Sequence, residues 1–240
     1  MNRYQAAAFH FLGSASVLLL IFALVRWVWY PGPLFFAASG ANLIGIISAV
    51  DVVLGPLIML IIFVPKKRGL KFDIALVLIC QVGFMLYGVW SIFIARPVYI
   101  AYAAEQFHVV TANEIDEADL KKAERADYRH LPWFGPVTVG TRQPTDIKKR
   151  NDVAFAGLGG MGLQNLPQYY VPYGDVATEV KQQAQPVKTL KKASNEDRKL
   201  LSQYQEQTKN PDVLFVPVSS KTRRLFAAID PKTGMILELL

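Results

Sequence analysis

The stretch Gly157-Leu158-Gly159-Gly160-Met161-Gly162 satisfies the G-x-G-x-x-G spacing with which dinucleotide-binding proteins approach a pyrophosphate. That chemistry also needs a strand before the glycines, a helix after them and an acid about 20 positions on. Asp152 to Ala156 is a poor strand sequence and Pro167 cuts short a following helix, so the stretch reads as a glycine loop. His10, His108 and His130 are far apart in the chain. No serine has an evident base, no two acids are placed for general acid–base work, and no Cys/His spacing suits a metal. His130, near Trp133, can line a pocket or serve the fold. The single cysteine, Cys80, lies in an apolar run, can form no intramolecular disulfide and reads as a packing residue. These residues predict a protein that is not an enzyme and takes no cofactor or metal.

Asp51 stands apart. It is the only charged side chain in the 24 residues from Ala41 to Val64. At about 1.5 Å per residue, a helix of that length crosses a hydrocarbon core of roughly 30 Å. A carboxylate there is costly unless it is paired, neutralised or facing a polar cavity, which makes it a functional hypothesis. The alternatives are a protonated Asp51 hydrogen-bonded to a neighbouring helix, or a contact with a partner; one carboxylate in three spans makes a poor ion pathway. Pro56 and Gly55 follow closely. Proline frees a backbone carbonyl and glycine admits a close neighbour, so a kink beside Asp51 is expected.

The elements that must position Asp51 are three apolar runs: Ala6 to Trp29, Ala41 to Val64 and Ile74 to Ala95. A cleaved signal peptide competes for the first, since Ala37-Ala38-Ser39 resembles a cleavage site. The run is longer than a usual signal core, and a second run follows at once. Trp27, Trp29 and Tyr30 suit an interfacial belt, and Arg26 can snorkel outward. Lys66, Lys67, Arg68 and Lys71, opposed only by Asp73, mark the loop between the second and third runs as cytoplasmic. The amino terminus then lies on the same side, and everything after Arg96 on the other. The chain's formal charge of +7 has the same origin: residues 97–240 carry 19 Lys and Arg against 17 Asp and Glu. The basicity encodes orientation and gives no support to nucleic-acid binding.

Two domains follow: a three-span transmembrane domain, 1–96, and a small extracytoplasmic α+β domain, 97–240. In the second, strands are expected at 98–103, 107–111, within 132–142, at 213–218, 225–229 and 235–239. Helices are expected at 116–127, 175–184 and 196–207. Asp230-Pro231-Lys232-Thr233-Gly234 predicts a hairpin turn. The basic clusters Lys188 to Lys192 and Lys221 to Arg224 read as solvated surface, with docking to an acidic partner or lipid headgroups as the other reading.

Several segments together resemble the TfpX/TfpZ family of type IV pilin accessory proteins. They are Trp29-Tyr30-Pro31-Gly32-Pro33-Leu34, Val50-Asp51-Val52-Val53-Leu54-Gly55-Pro56-Leu57, Leu70-Lys71-Phe72-Asp73, Tyr87-Gly88, Ala95-Arg96-Pro97-Val98-Tyr99 and the Asp230 to Gly234 turn. The resemblance covers the membrane half continuously and the tail in patches; 143–210 lies outside it. It implies a bacterial inner-membrane protein, with its amino terminus cytoplasmic and its carboxy-terminal domain periplasmic. It further implies a chaperone-like helper of the major type IV pilin subunit in pilus assembly or dynamics, in contact with the lipid bilayer and with other inner-membrane assembly components.

Under that reading Asp51, Gly55, Pro56 and Gly45, with Gly40, shape a groove for a pilin helix, and Tyr30, Pro31, Gly32 and Pro33 form a second partner-binding segment. Pilin helices of this type carry an acid near the amino terminus, so Asp51 would be protonated or aimed elsewhere. The competing function is a membrane-anchored periplasmic ligand-binding or sensor protein. A membrane enzyme would need several polar groups at one depth, which Asp51 alone does not supply.

Overall fold

The computed structural model describes residues 2–158, 161–190 and 193–240. Gly159 and Gly160 of the glycine stretch, and Lys191 and Lys192 of the first basic cluster, lie outside the described residues.

Three helices are long and apolar enough to cross a membrane: α1 (Arg3–Trp29), α2 (Gly40–Ile62) and α3 (Leu70–Ile94). Asn2 opens α1 with a capping box, accepting from the Gln5 amide at 2.8 Å while its own amide donates to Gln5 Oε1 at 2.9 Å. Large apolar side chains such as Leu20, Ile61 and Ile79 point outward, which suits lipid rather than water. The middle helix packs on both others, and α1 and α3 pack on it rather than on each other.

Two turns in these helices are wide. At the end of α1 the Tyr30 amide donates to the Val25 carbonyl at 2.8 Å, five residues back. In α2 the Gly55 amide reaches the Val50 carbonyl in the same way, and Asp51 lies inside that turn. Pro56 explains the position: it has no amide to give the Val52 carbonyl, so the ladder changes register just ahead of it. The expected disturbance at Pro56 takes this form.

Beyond α3 the chain forms one mixed seven-stranded sheet, ordered β4-β3-β1-β2-β5-β6-β7. Its strands are β1 (Pro97–Ala103), β2 (Gln106–Thr111), β3 (Val137–Thr141), β4 (Tyr170–Pro172), β5 (Leu214–Ser219), β6 (Leu225–Ile229) and β7 (Ile236–Leu239). β1 pairs with β3 and β2 with β5 in parallel, and the other pairs are antiparallel. β1 is buried along its whole length, and alternate residues enter different cores. Ile100 and Tyr102 face one cluster; Tyr99 and Ala101 face another with Leu120, Tyr128 and Tyr170.

The expected strands and the two later helices, Ala177–Gln183 and Asn195–Gln207, are present. The expected helix over 116–127 is shorter. Only Glu117–Lys121 is α-helical, followed by a tight turn at Ala126–Tyr128. Leu120, Ala123 and Tyr128 are all buried, and the turn after Lys121 sets the Tyr128 ring edge-on to Tyr99 and Tyr170. A helix at Ile147–Leu158 and the three-residue β4 were not foreseen. The helix leads into the glycines where a dinucleotide fold would need a strand.

The hydrophobic core crosses the junction between spans and sheet. Val25, Tyr30, Leu34 and Ile92 belong to the same cluster as Ile100, Tyr102, Phe107 and Val216. The turn between β5 and β6 grips the loop after α1: the Thr222 amide donates to the Ala37 carbonyl at 3.2 Å and its hydroxyl to the Phe36 carbonyl at 2.6 Å.

Candidate functional site

Asp51 does not stand alone in the membrane. The wide turn of α2 aims it inward, where it is 7% exposed, and His10 of α1 and Gln81 of α3 line the same cavity of about 310 Å³. Each span thus contributes polar side chains, with Ser14 of α1 lining the cavity beside His10. His10 is the ionisable group that interacts electrostatically with Asp51. Among the described residues, His10 Nε2 and both amide atoms of Gln81 are buried and have no hydrogen-bond partner. An imidazole and an amide left unsatisfied in an apolar medium are costly. Such groups await a partner or a bound water. Apart from Ser14, the remaining walls are apolar, among them Val17 and Leu18 on α1, Ile47 on α2, and Val82 and Met85 on α3. The site therefore offers hydrogen-bond donors and acceptors at the base of an apolar cleft between α1 and α3.

Gly55 makes the cluster possible. A methyl group built there would stand 2.5 Å from His10 Nε2 and closer still to Gln81 Nε2, so a larger residue displaces the tips of both side chains from the face of α2. Gly40 does the same for Tyr30, whose Cδ1 would be 2.9 Å from such a methyl. Gly45 has nothing within 4 Å and is exposed on the outer face of α2. Pro56 is half-buried one residue beyond Gly55.

The Tyr30-Pro31-Gly32-Pro33 segment lies elsewhere, at the junction of the spans with the sheet. Pro31, Gly32 and Pro33 border a shallow cleft with Trp27, Phe134 and Glu238, while Tyr30 is fully buried. Burial raises the Tyr30 phenol above its ordinary value, a shift that the Arg96 charge opposes. Arg26 turns to the ring of Phe35, 5.8 Å from its centroid. The proposed site residues thus fall in three places: Asp51, Gly55 and Pro56 at the polar cluster, Gly45 on the outer face, and the Pro-Gly-Pro segment at the junction.

Sequence reasoning found Asp51 and missed His10 and Gln81. A signal was present. Gln81 lies 11 residues into α3 and Asp51 lies 11 residues from the adjoining end of α2, about 16 Å in each case. His10 lies seven residues into α1 from the same side, about 10 Å, within reach of the other two. Among the described residues, no group of three or more His, Cys, Asp or Glu is placed to hold a metal.

No profile of a known protein family matches the chain. No solved structure matches it. Two fimbrial assembly proteins of Dichelobacter nodosus, of serogroups I and E1, are each 26% identical to it over 185 residues, covering 76% of this chain and 72% of each relative. The fimbrial assembly protein of serogroups C1 and C2 of the same organism is 32% identical over 121 residues, covering 50% of this chain and 92% of the relative. With a relative at that identity matched over nearly its whole length, this chain belongs to the fimbrial assembly protein family.

Proposed function

We propose that this protein serves type IV pilus assembly as a non-enzymatic, chaperone-like accessory that binds the major pilin subunit in the bacterial inner membrane. Its relatives are named for fimbrial assembly, which sets the process. The observation that carries the rest is the His10–Asp51–Gln81 cluster, with its unsatisfied imidazole and amide, at the base of a cleft between α1 and α3. A subunit held in the membrane by one apolar helix can lay that helix in the cleft, and a polar group on it can meet the amide of Gln81 or the imidazole of His10. The basic loop at Lys66, Lys67 and Arg68 supports a cytoplasmic position for that loop and a periplasmic one for the sheet domain, beside the pilin head. Other inner-membrane assembly components are candidates for the outer faces of the spans.

The test is in-cell photocrosslinking with a probe amino acid at Val17 or Val82, on opposite walls of the cleft, against Ile61 on the outer face. The pilin should be captured from the two wall positions and not from Ile61. Capture of lipid alone from all three, with a probe in the sheet domain catching some other envelope component, would move the protein to the ligand-binding or sensor class.

A further inference from the structure

Arg96, two residues beyond the end of α3, is 4% exposed. Its Nη1 donates to the Phe93 carbonyl at 2.6 Å and its Nη2 to the Pro132 carbonyl at 3.0 Å, so it closes the end of the helix and ties down the 129–136 loop. These contacts leave Nε buried without a hydrogen-bond partner, and among the described residues no carboxylate pairs with the guanidinium. Two neutral carbonyls only partly offset a buried charge. Arg96 borders a cavity of about 770 Å³ whose other charged walls are Lys121, Arg129 and Glu117. Three cations thus face one carboxylate, and that carboxylate is already held by Lys121 at 2.9 Å.

The mouth of this cavity is at the level where the spans leave the membrane. Phe93 and Ile94, the last residues of α3, form one lip and Trp133 the other. Phe93 lies between Trp29 and Trp133, with ring centroids at 5.3 and 5.4 Å, and the Arg96 guanidinium stacks over it at 3.8 Å. Trp133 and Phe134 are 66% and 82% exposed, in a loop that reaches back to Val28 of α1. Exposed aromatic rings around a basic cavity at a span's end suit the headgroup layer, where lipid phosphates lie.

We infer that the Arg96 cavity binds a phosphate group, in the form carried by an anionic phospholipid headgroup. The guanidinium keeps its charge and a second N–H on each Nη beyond those given to the two carbonyls, Lys121 and Arg129 add charge at the rim, and Trp133 covers the glycerol region. The inference is independent of pilin binding, since Phe93 at the cavity lies 12 residues, about 18 Å, along α3 from Gln81 of the cleft.

The full-length protein in nanodiscs of phosphatidylcholine with phosphatidylglycerol, released for native mass spectrometry, should retain phosphatidylglycerol in preference to phosphatidylcholine. Arg96→Gln should lower that retention about fivefold, the effect of one basic group near an anionic surface. Should Arg96→Gln fail to fold, Lys121→Glu decides, because Lys121 is exposed and outside the core. A second arm adds inorganic phosphate to the protein in phosphatidylcholine alone and follows thermal unfolding. A phosphate-dependent rise lost in either variant would support the site and make its ligand soluble. Equal retention of both lipids with no response to phosphate, or retention unchanged in both variants, would overturn the inference.

Discussion

The Tyr30 hydroxyl donates to the Ile92 carbonyl at 3.0 Å, and both residues are fully buried. Ile92 lies in the last turn of α3, where carbonyls have no partner within the helix. The bond therefore fastens the ends of the first and third spans, which pack on α2 rather than on each other lower down. Tyr30→Phe keeps the ring and removes the donor, leaving that carbonyl buried and unpaired. The expected loss is about 1–3 kcal/mol, read as an earlier unfolding midpoint in detergent.

The polar cluster gives a prediction with opposite signs for stability and function. Gln81→Leu removes two buried atoms that have no partner, so the isolated protein should become more stable, by about 1–3 kcal/mol. If Gln81 meets a pilin helix as proposed, piliation in a strain carrying the variant should fall. If Gln81 served the fold alone, the unfolding midpoint would drop instead.

Two glycines of α2 should respond differently to the same change. Gly55→Ala drives a methyl into His10 and Gln81 and should lower stability and function together. Gly45→Ala meets open space, and it should be neutral or stabilising by up to about 1 kcal/mol. Unfolding midpoints of both variants in one detergent check the contrast.

These cases show what a sequence carries and what it withholds. Asp51 was legible because a charge in an apolar run is visible without knowing how the helix faces. Gly45 and Gly55 look alike on paper; which one meets another helix depends on rotation, and only packing fixes that. His10 and Gln81 were missed for a related reason: each is unremarkable in its own run and gains meaning from the depth it shares with Asp51. The turn at Asp230 was legible because its chemistry is local. Asp230 accepts from the Lys232 amide at 2.9 Å and the Thr233 hydroxyl at 2.7 Å, and Gly234 takes φ +74°. The core joining Tyr30 to Ile100 was not legible, since no local pattern brings together residues 70 positions apart.

The buried tyrosines of the sheet domain predict a loss of stability at alkaline pH. Burial pushes the Tyr99 phenol up to about 12, helped by Tyr128. Burial does the same for Tyr102, again to about 12, with the charges of Glu105 and Glu179 adding to the effect. An unfolded tyrosine ionises near 10. Between those values the folded chain holds protons that the unfolded chain has lost, so stability falls as pH rises through this window. The contribution is complete below pH about 10 and is gone above about 12. A pH titration of tyrosinate absorbance alongside near-ultraviolet circular dichroism should show these two rings ionising late, together with loss of the tertiary signal. Ionisation near pH 10 with the signal intact would mean that Tyr99 and Tyr102 reach water in the folded protein.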